Sequence, residues 1–448
     1  MAITRRNAIH LTAVAAASYK RLLGANERVQ VGFIGFGLIG GQHVHDFKNQ
    51  PDVDLAAMCD VYQPRLEQGV AACGQKARPY SDFRKLIDDK DLQAVVVCTP
   101  DHWHALMTMM ACAAGKDVYV EKPLTLFVRE GRWMIDVARR YQRVVQVGTQ
   151  QRSGRHYQRA RQLLQAGHIG QLMSARSASF RNVMPGFGSP PDGTAPSDFD
   201  YNMWLGPAPA RPYNKRRGLY HFRWFWDYSG GQMTNLGAHE LDIIQWVIGQ
   251  KGPGNVMSNG GRFALQGLGE TPDTQDGLFT YPGFTALFSI REASAGRRAG
   301  AGLEFFGTKG SMTINRSGFE VIPDMRSNPE NAIPVFQGHP AGGPQHVNVQ
   351  PEPWTTAMKE AGSSAEQFDL HVRNFLDCIK SREQPISNLE SGNQATTTCH
   401  LANISLRLGR SVRWDPEKED FLGDREASAM LTRPYRKPWD EVLRGLIS

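Results

Sequence analysis

"RVQVGFIGFGLIGGQHVHDF", residues 28–47, decides the fold. Val29 to Ile34 form an apolar run of strand length, and a helix-like pattern starts near Leu38. Between them lies Gly35-Phe36-Gly37-Leu38-Ile39-Gly40. Gly35 permits the tight turn, Gly37 lets backbone approach a pyrophosphate, and Gly40 lets helix and strand pack closely. Leu38 and Ile39 open the helix, whose unpaired N–H groups and partial positive charge face the phosphates.

A second strand, "VDLAAMCD", ends in Asp60, twenty residues after Gly40. An acid at that distance grips the adenosine ribose hydroxyls. It also repels a 2′-phosphate, so NAD is favoured, while nearby Arg65 keeps NADP open. The bland reading of Asp60 is a turn or capping aspartate.

Strand and helix then alternate. "QAVVVCTP" (93–100), "DVYVEKP" (117–123) and "VVQVGTQQR" (144–152) read as strands, and "DHWHALMTMMACAAGK" and "REGRWMIDVARRYQR" as helices. This implies a doubly wound parallel sheet covered on both faces. Ligands of such sheets sit at the carboxyl ends of the strands. Thr99-Pro100, Glu121-Lys122-Pro123 and Gln150 occupy such ends and converge on one crevice.

With 448 residues, two or three domains are expected. The composition, 41% hydrophobic and 21% charged, is that of an ordinary globular protein. Part of the +7 net charge lies at Arg5, Arg6, Lys20, Arg21 and Arg28. No basic block with interleaved aromatics marks a nucleic-acid partner, and no later segment has the apolar length of a membrane span. None of the six cysteines forms a C-x-x-C pair, and His102-x-His104 lacks further spaced ligands, so no metal is expected.

The N-terminus is basic and then Ala-rich, and Arg5-Arg6 after Thr4 resembles a twin-arginine signal. Export, to the periplasm, is the expectation; the alternative is a cytoplasmic protein with an amphipathic surface helix.

Gly35-x-Gly37-x-x-Gly40, "CTPDHWH" (98–104) and "EKP" (121–123) together resemble the Gfo/Idh/MocA oxidoreductase family. "GGQMTNLGAHELDII" (230–244), "FFGTKGSMTI" (305–314) and "HVRNFLDCIKSREQP" (371–385) extend the resemblance over nearly all of the chain after the leader. It implies an α/β protein with an N-terminal Rossmann domain and a C-terminal α/β domain whose sheet is open and mostly antiparallel. It also implies chemistry on a carbinol of a sugar, cyclitol or glycoside, with NAD as cofactor, retained tightly if the protein works where no free pool exists. The expected divisions are a leader at 1–28, the Rossmann domain at 29–152, the C-terminal domain at 153–415 and a tail at 416–448. Late helices within 366–410 are expected to pack back on the first domain. The Pro-rich tail reads as an arm onto a partner subunit of a homo-oligomer.

The resemblance places the family's acid–base pair over the substrate within 230–244; oxidising a carbinol needs a base for the hydroxyl proton, and the candidates are Lys122 and His239. His239 has an intrinsic pKa near neutrality, whereas Lys122 needs burial or a nearby cation. The working expectation is that His239 exchanges the proton and Lys122 steadies the oxygen, with the roles interchangeable. The family most often has aspartate where this chain has Asn235, which can orient a hydroxyl but takes no proton. Glu121 positions Lys122, meets the nicotinamide ribose, or is a plain turn carboxylate; the family motif suggests a cis Lys122–Pro123 bond. His104 belongs to the cofactor set, and Arg152, Tyr228 and Asp242 are candidate substrate contacts. Two other functions stay open: a hydrolase or lyase using NAD transiently, and a non-catalytic NAD-binding protein.

Overall fold

The computed structural model describes residues 28–74, 76–295, 302–327 and 349–448. The expected leader, with Arg5 and Arg6, lies outside the described residues apart from Arg28.

Residues 29–147 build the predicted sheet: β1 (Val29–Ile34), α1 (Leu38–Lys48), β2 (Val53–Cys59), α2 (Gln63–Cys73), β3 (Arg78–Tyr80), α3 (Phe83–Ile87), β4 (Ala94–Val97), α4 (Asp101–Ala113), β5 (Asp117–Val120), α5 (Val128–Arg140) and β6 (Val145–Val147). The order is β3-β2-β1-β4-β5-β6 and every pairing is parallel. All four residues of β4 are fully buried, as a strand covered on both faces requires. The strand order reverses between β1 and β4, which opens a crevice above their carboxyl ends.

One face of the sheet packs Phe33, Phe47 and Tyr119 against Phe375, which belongs to the late Ser364–Ser381 helix. That helix packs on the first domain and is fastened by charge. Arg373 donates to Asp52 at 2.6 and 3.0 Å, and Lys380 donates to it at 2.7 Å. Burial alone would raise the Asp52 carboxyl, but these two cations bring it down to about 2.

The tail corrects the sequence-based expectation of an arm reaching another subunit. Tyr435, Trp439 and Leu443 are buried against the other face of the chain's own sheet. The Trp439 ring meets Trp103 edge-on at 4.8 Å. Spaced aromatics in a polar, Pro-rich stretch read as solvated until a complementary surface is known.

The second domain centres on a ten-stranded sheet. Leu172–Phe180 pairs parallel with Phe284–Arg291, and the other neighbours in the sheet are antiparallel. Phe279, Phe288 and Phe305 point inward against Leu241 and Ile244 of the Gly237–Ile248 helix and Leu401 of the Leu389–Leu408 helix. Thr274–Tyr281 and Phe284–Arg291 form an antiparallel hairpin that turns at Pro282-Gly283. Gly186–Gly188 forms a short parallel ribbon with Gln266–Gly267, because residues without Cβ atoms let the two backbones approach.

The segment 230–248 is not one helix. Gly231–Asn235 and Gly237–Ile248 are separate helices meeting at Leu236, and Gly249 closes the second in the left-handed conformation. This break sets the direction of the side chains that face the crevice.

Candidate active site

The crevice above β1 and β4 continues into a second chamber between the domains. Leu38, Ile39, Thr99, Tyr220, Phe222 and Arg223 line both, so the two form one cleft.

The first chamber has the chemistry of a dinucleotide cradle. Helix α1 starts at Leu38 with Gly37 as its cap, and no side chain bonds its first N–H groups. Leu38 is 80% exposed there. A Cβ at Gly37 would meet only Arg65 Nη1, at 3.8 Å, so its absence leaves the loop open to a ligand. A Cβ at Gly40 would lie 2.2 Å from the Gly35 carbonyl oxygen, so helix and loop close only on glycine. The Thr99 hydroxyl at the tip of β4 is buried, lines the cleft and has no partner among the described residues. These groups fit a diphosphate-bearing cofactor.

Asp60 and Arg65 also line this chamber. Asp60 accepts the backbone N–H groups of Phe36 at 2.8 Å and Tyr62 at 2.9 Å, so it braces the glycine loop. Burial raises its pKa, and the two N–H bonds oppose that rise. Each carboxylate oxygen retains a lone pair for a hydroxyl. Pro100 caps α4 at the chamber wall.

The second chamber gathers Lys122, Asn235 and His239 from two domains. Lys122 is placed by β5, which ends at Val120, and its peptide bond to Pro123 is cis. Lys122 Nζ donates to the Asn235 carbonyl at 2.7 Å and to Asn235 Oδ1 at 3.2 Å. Asn235 Nδ2 donates to Gln232 Oε1 at 2.9 Å, which fixes the amide with its oxygen toward the lysine. Burial lowers Lys122 to about 8; Glu121 opposes this, and Arg223 and Arg316 add to it. Burial pushes His239 well below its ordinary value, and the charges of Lys122 and Arg316 push it further. Its Nδ1 is buried and has no hydrogen-bond partner among the described residues.

Glu121 is buried beneath them. Its Oε1 receives His43 Nε2 at 2.7 Å and Gln150 Nε2 at 2.8 Å, and its Oε2 receives the Lys122 N–H at 3.1 Å. Burial would raise this carboxyl, but the His43 hydrogen bond and the surrounding positive charge bring it below the usual range. Glu121 is therefore a buried anion supporting the lysine rather than a solvated turn residue. His104 lies between the Pro123 carbonyl (2.7 Å) and the Thr99 carbonyl (2.9 Å), tying the tip of β4 to that of β5.

Three expected substrate contacts do not line the cleft. Arg152 donates to Asp242 twice, at 2.8 and 2.6 Å, and both are buried. Asp242 shares a helix with His239, but the break at Leu236 leaves Asn235 on a different helix. Asn235 therefore does not share one continuous helical face with His239 and Asp242. Tyr228 is fully buried among Trp204, Phe225 and His102.

The metal reading of the His-x-His pair has no structural support. Burial drives His102 down to about 3, its Nε2 faces the Trp204 carbonyl at 3.0 Å, and the described residues contain no ligand cluster. No helix among them is long and apolar enough to cross a membrane.

Several lining residues escaped the sequence reading: Gln42, Tyr220, Arg223, Arg316 and Phe368. His43, the partner of Glu121, was legible in principle as a polar residue one turn beyond Gly40 on the buried face of α1. Arg316 sits in a turn between two strands and carries no sequence signal.

A glycine cradle, a strand tip with a buried glutamate and a half-buried lysine, and a histidine brought in by a second domain define a two-domain, dinucleotide-dependent oxidoreductase. Two family models match the chain. "Oxidoreductase family, NAD-binding Rossmann fold" covers residues 29–149, and "Oxidoreductase family, C-terminal alpha/beta domain" covers 180–259 and 356–441. The chain belongs to the Gfo/Idh/MocA oxidoreductase family.

A myo-inositol 2-dehydrogenase of Thermotoga maritima is 22% identical over 86% of this chain and 98% of its own length. A glycosyl hydrolase family 109 protein of Shewanella sp. (strain W3-18-1) is 32% identical, but over only 34% of each chain. Among solved structures, a levoglucosan dehydrogenase in complex with NADH and levoglucosan has a TM-score of 0.63 at 18% identity, covering 86% of this chain and 99% of that one. That likeness shows the fold.

Proposed function

We propose that this protein oxidises a CH–OH group of a sugar, cyclitol or glycoside, using NAD held in the glycine cradle. The observation that carries the reading is the meeting of Lys122, Asn235 and His239 in a chamber continuous with that cradle. NAD, when bound, takes the hydride from the carbinol carbon. The chain's own residues must bind the polyol, orient its hydroxyl and remove the proton.

With its pKa well below neutrality, His239 is uncharged at pH 7 and free to accept that proton. Lys122, at about 8, is still mostly protonated there and stabilises the negative charge developing on the oxygen. Asn235 orients the lysine, since its amide cannot exchange a proton. Glu121 keeps a buried carboxylate beneath the lysine and so holds the ammonium in place. Reduction of NAD, followed across a panel of sugars and cyclitols with Lys122→Ala and His239→Ala measured separately, tests the assignment. Near wild-type turnover in either variant removes that residue from the reaction.

A second reading is favoured by Asn235 and by the partial match to the glycosyl hydrolase family 109 protein. In that reading, oxidation acidifies the neighbouring C–H, elimination breaks the glycosidic bond and hydride returns. Release of aglycone without net NADH distinguishes it.

The Arg5-Arg6 leader supports export of the folded protein, and we propose a periplasmic homo-oligomer. Cell fractionation of the full chain against an Arg5→Lys/Arg6→Lys variant tests the export, and sedimentation tests the assembly.

A further inference from the structure

The catalytic chamber contains two guanidiniums that this reaction does not require. Arg223 comes from the His221–Trp224 turn of the second domain, and Arg316 from the turn between Gly310–Asn315 and Gly318–Pro323. Neither has a carboxylate partner within ion-pair distance among the described residues. Arg152, Arg181 and Arg373, by contrast, each meet a buried carboxylate.

The two are positioned by other means. Arg223 Nη1 donates to the Tyr220 carbonyl at 3.2 Å, and its guanidinium lies 4.6 Å from the Phe222 ring centroid and 5.2 Å from that of Tyr220. The Arg316 guanidinium lies 5.8 Å from the Phe368 ring centroid. Stacking on rings orients a guanidinium while leaving N–H groups at its edge for an in-plane acceptor.

Three carboxyls act on these guanidiniums: Asp101 and Glu121 on Arg223, and Glu240, which burial raises to about 7 against Gln151 and Arg316. Asp101 accepts the Ser229 hydroxyl at 2.6 Å, and Glu121 is held by His43, Gln150 and the Lys122 N–H. Both guanidiniums bear on the reacting groups: Arg223 and Arg316 depress Lys122, and Arg316 also depresses His239. A neutral polyol would leave Lys122, Arg223 and Arg316 offset only by Asp101, Glu121 and a Glu240 carboxyl that burial raises to about 7.

We infer that the polyol accepted here carries an oxyanion, a carboxylate or a phosphate, held between Arg223 and Arg316 while its carbinol faces Lys122 and His239. The inference rests on the polyol-oxidising reading of the cleft and names the substrate class within it. A rival account gives the guanidiniums to the cofactor's diphosphate. It suits Arg223, which lines both chambers, better than Arg316, which lines only the chamber of Lys122.

The test is calorimetric binding of glucuronate, glucose 6-phosphate and glucose to the NADH-loaded protein and to its Arg316→Gln and Arg316→Lys variants. At least one anionic compound is expected to bind tenfold or more tightly than glucose. Arg316→Gln is expected to abolish that preference while leaving NADH affinity within about twofold; Arg316→Lys is expected to retain part of it, as a point charge without the fork. Retained NADH binding also shows that the variants are folded. The more responsive of glucuronate and glucose 6-phosphate identifies the oxyanion. Equal binding of all three compounds, no binding of any, an unchanged preference in Arg316→Gln, or loss of NADH affinity instead overturns the inference. Preferential anion binding without oxidation of any polyol keeps the inference and removes the oxidoreductase reading. Oxidation of neutral polyols without that preference does the reverse.

Discussion

The two ends of the cleft are built in opposite ways. The cofactor end comes from short contiguous stretches: residues 34–40 for the loop and helix start, Asp60 and Arg65 beside them, and 98–100 at the next strand tip. Its binding power lies in backbone N–H groups and missing Cβ atoms. The reacting end joins Lys122 to Asn235 across 113 residues, and its charges come from turns with no shared pattern. A site made of backbone can be written locally. A site made of side chains with shifted pKa values needs a buried environment supplied by a second domain.

The sharpest way to separate the two ends is Lys122→Met. Turnover should fall by about 10²–10⁴, while NAD affinity, measured by fluorescence quenching, stays within about twofold. A matching loss of NAD affinity would merge the two ends. The converse variant is Gly37→Val. The space beside its Cβ is empty except for Arg65 Nη1, so the protein should remain folded by circular dichroism. Its NAD affinity should fall by tenfold to a hundredfold, about the worth of one or two charge-assisted hydrogen bonds.

The pH dependence refines the reacting end. If Lys122 acts as the protonated donor, kcat/KM falls as pH rises through about 8, by about tenfold per unit at high pH. A limb of the opposite sense, rising to a plateau above 8, would assign the base to Lys122 and leave His239 as the orienting group.

The smallest expected effect lies away from the cleft. The Asp52 carboxyl has a folded pKa of about 2 against an ordinary 3.8. The stabilisation from its pairing with Arg373 and Lys380 is fully present above 3.8 and lost as pH falls through 2. It amounts to about 2 kcal/mol. Asp52→Asn should therefore lower stability at pH 7 by an amount of that order in urea titrations, and the gap to wild type should narrow in acid.

Much of the fold was legible because its signals are local. Alternating strand and helix patterns, Gly35, Gly37 and Gly40, and the Pro282-Gly283 turn each follow from neighbouring residues. Lys122 and His239 were legible as candidates through the resemblance. Arg152, Asp242 and Tyr228 misled because a polar residue near a motif looks the same whether it faces a ligand or a buried partner. Arg223, Arg316 and Phe368 were silent because their turns carry no periodicity. The tail was misread for a related reason: Tyr435 and Trp439 become core residues only once α3 and α4 present Phe83 and Trp103 to them.

The sequence by itself determined the parallel sheet, the glycine cradle and the family, since each depends on spacing within a few residues or on motif order. Tertiary structure alone decided that Lys122 is half-buried against Asn235, that Glu121 is an anion shared with His43 and Gln150, and that two guanidiniums line the chamber of the reacting groups. The physical reason is desolvation. The charge state and reactivity of a side chain depend on what surrounds it in space, and those surroundings come from residues far away along the chain.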